Sequence, residues 1–308
     1  MTEQEVQVGE RLAVSYDITN RGQSDGEQTV ELTLDGEVAD SEALVLDTGE
    51  KDRMSLVTDA FTDEDDGQLY EVEIVTDDRV AQVMTVEVTA IPDSGLLHFR
   101  YDFSELESGT TSNVPDLSGN GFDLDDGSFS GVGTDINGVQ AGEFDGVDES
   151  VYRSTSFSSV GPATVFIAFN PTDPLGLNHV LQFNDGEDLA LRYFDDQGGW
   201  VFGNMSEDQV IIGTSNDFED EPVIMSGIFS DDSNDGLFRI NGTEQGTGRT
   251  ADGGELTHVG LASREPRTGD RFTPADIGEV LLYEDVRTTS EIEEVEEYLS
   301  DKWGIGLD

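Results

Sequence analysis

Acidic side chains outnumber basic ones 68 to 15 in these 308 residues, and this imbalance limits the conditions in which the chain can fold. The formal net charge is -53, and Lys51 and Lys302 are the two lysines. At ordinary ionic strength, this much like charge pushes a compact state apart. In molar salt the Debye length falls to about 3 Å, so most carboxylates are screened from each other. The composition therefore predicts a protein of a high-salt environment, made by an extreme halophile or by a virus that replicates in one.

Charge and composition also exclude several classes of partner and structure. A surface this negative repels phosphate backbones and anionic lipid heads, so we expect no nucleic-acid binding and no membrane insertion. The longest apolar run, Val165 to Phe169, is too short to span a bilayer. Cysteine is absent, which excludes disulfides and thiolate metal sites. Hydrophobic residues make up 35% of the chain, in short alternating runs that indicate packed β structure rather than disorder.

Residues 1–91 are predicted to form a β-sandwich. Runs such as Leu12 to Ile18 and Leu69 to Val75 alternate apolar and polar residues, and turn residues such as Asp35-Gly36 separate the runs. The succession of short motifs resembles that of immunoglobulin-like domains of the CARDB type, and the motifs are Val8-Gly-Glu-Arg-Leu-Ala-Val14, Ile18-Thr-Asn-Arg-Gly22, Val30-Glu-Leu-Thr-Leu-Asp-Gly-Glu37 and Leu46-Asp-Thr-Gly-Glu50. The resemblance implies a docking or spacer domain.

Residues 92–95 are predicted to be a short linker, because Pro92 favours extended structure before it and Ser94-Gly95 adds no core residue. Residues 96–308 are again strand-rich, with strands predicted near 96–103, 163–169, 179–183, 188–194, 199–203, 209–213, 223–229, 236–240, 256–262 and 276–283. This strand-rich region is too long for one immunoglobulin sandwich. It indicates a larger antiparallel jelly roll.

Motifs in this second region resemble those of laminin-G-like, concanavalin A-like jelly rolls. They are Asp116-Leu-Ser-Gly-Asn-Gly-Phe-Asp123, Glu143-Phe-Asp-Gly146 with Val151, Gly236-Leu-Phe-Arg-Ile-Asn-Gly242, and Ile277-Gly-Glu-Val-Leu-Leu-Tyr283 followed by Val295 to Gly304. The resemblance implies the fold and a set of binding loops, and relatives of this kind often bind calcium through loop carboxylates. The motifs mark the fold and not a catalytic centre.

The C-terminal residues are predicted to form an amphipathic helix that packs on the sandwich. Ser290 and Glu293 have the spacing of a capping box, and Gly304 is the expected stop. One apolar stripe follows the helical period, and it comprises Ile292, Val295, Tyr298, Leu299 and Trp303.

A candidate cation site consists of Asp231, Ser233 and Asp235. These side chains alternate before Gly236, as in the first half of an EF-hand loop. The twelfth position of such a loop is Gly242 instead of glutamate, so a hairpin turn is the alternative interpretation. We expect no required cofactor, with calcium or another hard cation as the candidate ligand.

Glu143 to Asp148 is close to the spacing of the paired acids in sandwich glycosidases. Its last position is aspartate rather than glutamate, and its Phe-Asp-Gly segment already matches the laminin-G turn. The sequence therefore favours a protein that is not an enzyme. His98, His179 and His258 lack metal-ligand spacing and are expected to be packed or half-exposed strand residues.

A candidate glycan site consists of Tyr193, Asp195 and Trp200. Aromatic rings beside acidic and amide groups are typical of sugar-binding loops. The alternative is that at least one of the two rings belongs to the sandwich core.

These features together predict a non-enzymatic virion surface protein of a virus of halophilic archaea, acting as a turret, decoration or fibre subunit. The first domain would dock to capsid or tail proteins or to sister subunits in a homo-oligomer, and the jelly roll would bind a host cell-surface glycan or glycoprotein. The absence of a basic, apolar leader after Met1 favours this prediction, because virion proteins assemble inside the host.

Two alternatives remain from the sequence. One is an extracellular adhesin on a haloarchaeal cell surface, which glycosylation of the acceptor sequons at Asn204 or Asn241 would favour. The other is a polysaccharide-degrading enzyme, which would lose activity if Glu143 and Asp145 were replaced by amides.

Overall fold

The computed structural model describes residues 2–7, 11–20, 25–59, 61, 69–76, 79–89, 91–92, 96–157, 160–173, 177–184, 189–194, 199–204, 209–213, 218–232, 235–251, 256–264 and 271–308. The chain divides into two compact units, Met1–Ile91 and Pro92–Asp308. In the second unit, the Tyr283 hydroxyl donates to the Pro92 carbonyl at 2.8 Å. The rest of the predicted linker, residues 93–95, lies outside the described residues.

The first unit is built from two sheets. Its strands are β1 (Thr2–Gln7), β2 (Ala13–Thr19), β3 (Gly26–Leu34), β4 (Glu37–Leu46), β5 (Lys51–Val57), β6 (Leu69–Thr76) and β7 (Arg79–Thr89). One sheet has the order β1-β7-β6-β3-β4, and β2 pairs with β5 in the other. Val30 and Val72 of the larger sheet and Val14 and Leu56 of the smaller one share a single core. The alternating runs therefore form the predicted sandwich, with β1 added in parallel to β7.

The second unit is a larger, antiparallel sandwich. Its elements are β8 (Leu97–Asp102), β9 (Asp126–Ser128), β10 (Gly131–Ile136), β11 (Val139–Asp145), β12 (Ser150–Tyr152), β13 (Ala163–Pro171), β14 (Leu177–Phe183), β15 (Leu189–Phe194), β16 (Gly199–Asn204), β17 (Gln209–Ile212), β18 (Val223–Phe229), β19 (Gly236–Ile240), β20 (Thr243–Gly248), β21 (Val259–Leu261), β22 (Pro274–Tyr283) and α1 (Thr289–Trp303). The eight-stranded sheet has the order β10-β11-β22-β13-β18-β19-β20, with β8 also pairing with β22. The seven-stranded sheet has the order β17-β16-β15-β14-β21-β12-β9. The predicted all-β class with a C-terminal helix is confirmed.

Side chains of both sheets meet in one large core. Val165, Ile167 and Phe169 of β13 enter it from the eight-stranded sheet. Leu191 and Phe202 enter from the seven-stranded sheet. Because alternate residues of a strand point to opposite faces, the remaining side chains of the seven-stranded sheet point away from this core.

Two of the fold motifs are turns with structural roles. The Asp116 carboxylate accepts from the backbone N–H groups of Arg100 and Ser118 at 3.0 Å each and of Phe122 at 2.9 Å. Asn241 and Gly242, with φ of 46° and 80°, join β19 to β20 in the left-handed conformation that two-residue hairpins favour.

The C-terminal helix begins two residues before its predicted start. Thr288 is the N-cap, and its capping box uses Glu291 rather than the predicted Ser290–Glu293 pair. Thr288 has extended backbone angles, whereas Ser290 already lies inside the helix. Gly304 ends the helix with φ of 61°, and the apolar stripe predicted from Ile292 to Trp303 is buried, as expected. Within the described residues, no helix has both the length and the apolar character to cross a membrane.

Buried ion pairs join α1 to the eight-stranded sheet. Lys302 contacts the Asp102 carboxylate and lies 3.1 Å from Glu279. Arg100 lies between the same two acids, 2.6 Å from Asp102 and 2.7 Å from Glu279. Burial raises the pKa of Asp102, but the charges of Lys302 and Arg100 outweigh burial and hold that pKa below its ordinary value. A second buried pair joins Arg239 of β19 to Glu296 of the helix at 3.0 Å.

Candidate functional site

The predicted aromatic pair lies against the core. Trp200 is fully buried, and its ring packs edge-on against Phe169 and Tyr193 with centroids 5.4 Å away in both cases. Tyr193 is 9% exposed and belongs to the same core cluster. Trp200 therefore presents no ring face to a ligand, which agrees with the alternative of core packing. Asp195 lies outside the described residues.

The predicted cation site is partly described. Asp231 and Asp235 are exposed, and the Asp235 N–H donates to the Asp232 carbonyl at 3.3 Å in a turn before β19. Ser233 lies outside the described residues. Among the residues that are described, no three His, Asp or Glu side chains are grouped to hold a metal ion. A cation at this turn stays a prediction.

The acids at Glu143 to Asp148 end β11 in a turn. The Asp145 carboxylate accepts from the Val147 N–H at 2.8 Å, and Glu149 accepts from the Asp145 N–H at 2.8 Å. Glu143 is exposed and stands opposite Asp276 in the register of β11 and β22. These contacts give the Asp145 and Glu149 carboxylates a role in the turn.

The asparagines of the two predicted glycosylation sequons differ in how exposed their side chains are. Asn204 is 1% exposed, so a glycan on its side chain is incompatible with the folded sheet. Asn241 is half-buried, and its side-chain oxygen accepts from the Ile224 N–H at 2.8 Å.

The outer face of the seven-stranded sheet is the side that points away from the core. Its residues fall in two register rows, Tyr152–Gly260–Gln182–Ala190–Gly203 and His179–Arg192–Val201. In the first row, Gly260, Ala190 and Gly203 have little or no side chain, and the longer Gln182 lies between Gly260 and Ala190. The half-buried ring of Tyr152 stands at one end of that row. Apart from Tyr152, the residues of both rows are buried, so this face is covered rather than open to solvent.

His179 is the centre of the polar cluster and is fully buried. Its Nδ1 lies 2.8 Å from Gln182 Oε1. The Gln182 amide nitrogen donates to the Phe183 and Leu189 carbonyls, so the amide oxygen faces His179 and the imidazole proton is on Nδ1. The Nε2 lone pair is buried and is hydrogen-bonded to none of the described residues.

The imidazole is held neutral. Burial lowers its pKa first, and the positive charges of Arg192, Arg271 and Arg264 lower it further, against the opposing hydrogen bond to Gln182. The resulting pKa is about 3. At neutral pH, Nε2 is therefore a hydrogen-bond acceptor and not a donor.

Backbone pairing brings the three arginines to this position. Arg192 stands directly opposite His179 in the β14–β15 ladder. The Arg271 carbonyl accepts from the His179 N–H at 3.3 Å. Arg264 follows Ala262, whose N–H donates to the Val180 carbonyl at 2.8 Å. Arg192 is buried, whereas Arg264 and Arg271 are half-buried, so the cluster extends from the sheet towards solvent.

The cluster brings together one neutral acceptor and several cationic donors. A neutral imidazole accepts from a hydroxyl, guanidinium groups donate to ligand oxygens, and an aromatic ring packs against a sugar face. From the sequence, His179 is predicted only to be a strand residue, because the groups around it come from separate segments of the chain. No local sequence signal marks this cluster, because its arginines lie at positions 192, 264 and 271.

Comparisons with known proteins identify the fold only. No family model matches the sequence, and no curated protein matches it significantly. Among solved structures, a mutant of Trypanosoma rangeli sialidase displaying trans-sialidase activity is similar with a TM-score of 0.50 and 15% identity. The match covers 72% of this chain and 35% of the sialidase chain, so the chain spans about a third of that protein's length. At this identity, the likeness supports the β-sandwich class and no activity.

Two further structures are similar at lower scores. Domain 4 of AbnA, an extracellular arabinanase from Geobacillus stearothermophilus solved with arabinotriose, has 15% identity and a TM-score of 0.47, covering 65% of this chain and 98% of that one. The binding domain of a botulinum neurotoxin of serotype D/C has 11% identity and a TM-score of 0.48, covering 67% and 53%.

Proposed function

We propose that this protein is a non-enzymatic surface protein of a high-salt system and that its second unit binds a glycan on the outer face of the seven-stranded sheet. The observation that carries the proposal is the buried His179 Nε2, an acceptor without a described partner, on a residue that stands opposite Arg192 in the β14–β15 ladder. An unsatisfied buried acceptor costs about 1–3 kcal/mol. A ligand hydroxyl would relieve this cost once the residues that bury His179 move aside to admit it.

The setting we propose is the virion surface of a virus of halophilic archaea. The charge of -53 supports a high-salt environment, and two all-β units in sequence suit a docking domain followed by a displayed binding domain. In this proposal the first unit attaches to capsid or tail proteins, or to sister subunits of a homo-oligomer. The second unit meets a glycan or glycoprotein of the host cell surface.

Glycan binding is tested on an array of neutral and carboxylated trisaccharides in molar potassium chloride. The variant His179→Asn keeps a donor for Gln182 and removes the Nε2 acceptor, so we expect its binding to weaken about tenfold, as for the loss of one hydrogen bond. His98→Asn is the matched control. His98 is also buried with an Nε2 lacking a described partner, but it lies on β8 of the other sheet.

The array distinguishes a glycan site at His179 from the absence of glycan binding. Binding that falls in His179→Asn and persists in His98→Asn supports the site. An array without any bound sugar, from protein shown to be folded by circular dichroism, contradicts the proposed function.

The proposed setting has a test of its own. Gold-labelled antibody against the protein is imaged on halophilic cells and on particles purified from their lysates, in molar salt. Label on the particle surface supports a virion component. Label on the envelopes of uninfected cells contradicts it and favours a cell-surface adhesin.

A further inference from the structure

The buried ion pairs between α1 and the eight-stranded sheet include one of the two lysines of the chain. The other thirteen cations are arginines, and one of them forms the second buried pair of the helix, Arg239–Glu296. Arginine suits such pairs, because its planar fork binds both oxygens of a carboxylate and stays charged. Lysine differs chemically, since loss of a proton turns its ammonium into a nucleophilic amine. Lys302 therefore allows covalent chemistry at a place where an arginine would not.

We propose that Lys302 and Asp102 condense to an amide, so that an isopeptide bond joins α1 to β8 within the chain. Lys302 Nζ is in direct contact with Oδ2 of Asp102. The Asp102 side chain is fully buried and that of Lys302 is 13% exposed, so the two groups meet largely out of water. Groups held in contact in this way react with effective molarities of about 10⁵ M or more.

Glu279 is placed to move protons between the two reacting groups. Its Oε2 lies 3.1 Å from Lys302 Nζ, and its side chain is fully buried. The Tyr298 hydroxyl is 3.1 Å from both Glu279 oxygens, and Trp303 Nε1 donates to Oε2 at 3.3 Å, so the carboxylate is fixed in position. A carboxylate within hydrogen-bond reach of an amine can accept its proton and later return it to a leaving oxygen.

The two oxygens of Asp102 have different surroundings. The Ser104 N–H and hydroxyl group donate to Oδ1 at 3.0 and 2.6 Å. These donors can stabilise the negative charge that develops on Oδ1 during attack, as in an oxyanion hole. Arg100 Nη2 donates to Oδ2 at 2.6 Å. Oδ1 therefore becomes the amide oxygen, and Oδ2, which faces the two cations, is the oxygen that leaves.

The condensation is balanced without any co-reactant. A proton first passes from the Lys302 ammonium to Asp102 Oδ2, which gives a neutral amine and a carboxylic acid. The Nζ lone pair then attacks Cγ of Asp102, and Glu279 takes one of the two protons that remain on Nζ. Glu279 returns this proton to the Oδ2 hydroxyl, the Cγ–Oδ2 bond breaks, and one water molecule leaves.

The charges of the cluster favour the product but slow its formation. Burial lowers the pKa of Lys302, but the carboxylates of Asp102 and Glu279 outweigh burial and raise that pKa well above its ordinary value. Freshly folded protein therefore holds the ion pair, and we expect the bond to form slowly afterwards. The product buries two charges fewer, and Arg100 and Glu279, 2.7 Å apart, remain as a matched pair.

The bond would suit a chain of this composition. Asp102 and Lys302 are 200 positions apart, and a crosslink that closes so long a loop restricts the unfolded chain. A disulfide is not possible, because the sequence has no cysteine. An isopeptide bond would hold the two ends of the second unit together against the repulsion between its surface acids.

Mass spectrometry of the full chain tests the proposal. The protein is folded in molar potassium chloride and kept there until its mass no longer changes. We expect a mass lower than that of the sequence by one water molecule. Trypsin should then release residues 101–153 joined to residues 288–308, because an acylated Lys302 is not cut. Protein that is folded by circular dichroism, but has the full mass and gives separate peptides, overturns the proposal.

Variants identify the reacting groups. Lys302→Arg removes the nucleophile and should give no branched peptide, whereas the matched control Lys51→Arg should react as the wild type does. Asp102→Asn should form the same branched peptide with loss of ammonia instead of water. A loss of water that persists in Lys302→Arg would come from succinimide formation at an Asp-Gly pair, and it would contradict the proposal.

The role of Glu279 has its own measurement. In Glu279→Gln, shown to be folded by circular dichroism, we expect the branched peptide to form about a hundredfold more slowly, as for the loss of a general base. Equal rates in this variant and in the wild type overturn the role given to Glu279.

Discussion

The folded environment of His179 lowers the pKa of its imidazole to about 3. The described groups that face it are Gln182 from its own strand, Arg192 from β15, and Arg264 and Arg271 from the segments beside β14. None of these groups changes charge between pH 3 and 7, so the imidazole titrates alone among them. Its neutral state is a property of burial and of three fixed positive charges.

The pKa of His179 predicts a pH-dependent loss of stability. Its pKa is about 3 in the folded state, against 6.5 for an exposed histidine, so the unfolded chain takes up this proton first as the pH falls. The stabilisation is therefore complete above about pH 6.5 and is lost progressively down to about pH 3. Relative to His179→Asn, we expect the wild-type free energy of unfolding to fall by about 1.4 kcal/mol per pH unit across this window.

Denaturant unfolding of both proteins at several pH values in molar salt measures this difference. The comparison cancels the titration of the carboxylates, which both proteins share. Free energies that run parallel between pH 4 and 7 would contradict a neutral, buried His179.

At the scale of elements, the helix α1 depends on ions as well as on its apolar stripe. Lys302 sits between Asp102 and Glu279, and these acids share Arg100 as their other cation. Removing one partner of a buried pair leaves an uncompensated charge and costs about 3–5 kcal/mol. We expect Lys302→Met to destabilise the second unit by about 3 kcal/mol, near the low end because Arg100 remains.

Lys51→Met is the matched control for this prediction. It removes the same charge from the chain, but Lys51 is exposed on β5, and surface substitutions usually change stability by about 0.5 kcal/mol or less. Tryptophan fluorescence follows the second unit alone, since Trp200 and Trp303 both belong to it, and circular dichroism follows the whole chain. Equal effects of the two variants would mean that net charge, and not the buried pairs, sets the stability.

The elements that sequence could predict are those whose pattern is local. The run from Val165 to Phe169 reads as a strand and is one, and the stripe ending at Trp303 reads as a helix. The short strand Asp126–Ser128 has no apolar residue, so neither alternation nor hydrophobicity predicts it. It forms because Tyr152 and its neighbours on β12 offer a ladder, which is a contact between distant segments.

The residues of the candidate site were also hard to predict, because contacts between distant segments bring them together. Tyr193 and Trp200 are close in sequence and look like a binding pair, yet the strand alternation sends both towards the core. His179 and Arg271 are far apart in sequence and meet through a backbone hydrogen bond. Composition shows that cations are few relative to acids, but only the pairing of β14 with its neighbours places Arg192 and Arg271 beside His179.

At the scale of the whole molecule, cations and anions are distributed differently. Several of the few cations lie inside, including Arg100, Arg192, Arg239 and Arg287, each 6% exposed or less. The acids mainly cover the surface, as on the outer side of α1, where Glu294, Glu297 and Asp301 are exposed. Cations that form buried ion pairs cannot neutralise the negative charge of the surface. The exposed acids therefore depend on dissolved salt to screen their mutual repulsion.

This distribution predicts that dilution of salt unfolds the protein. Between molar salt and about 0.1 M the Debye length grows from about 3 Å to about 10 Å, so each exposed acid begins to repel acids beyond its nearest neighbours. We expect the melting temperature to fall steadily as potassium chloride is diluted, and sucrose in place of salt not to restore it. In the triple variant Glu294→Gln, Glu297→Gln and Asp301→Asn, three repelling charges are gone from one surface while the buried pairs are untouched, so its melting temperature should fall less steeply. A melting temperature that is the same in molar and dilute salt, or a triple variant with the wild-type slope, would show that surface repulsion does not control the stability of this fold.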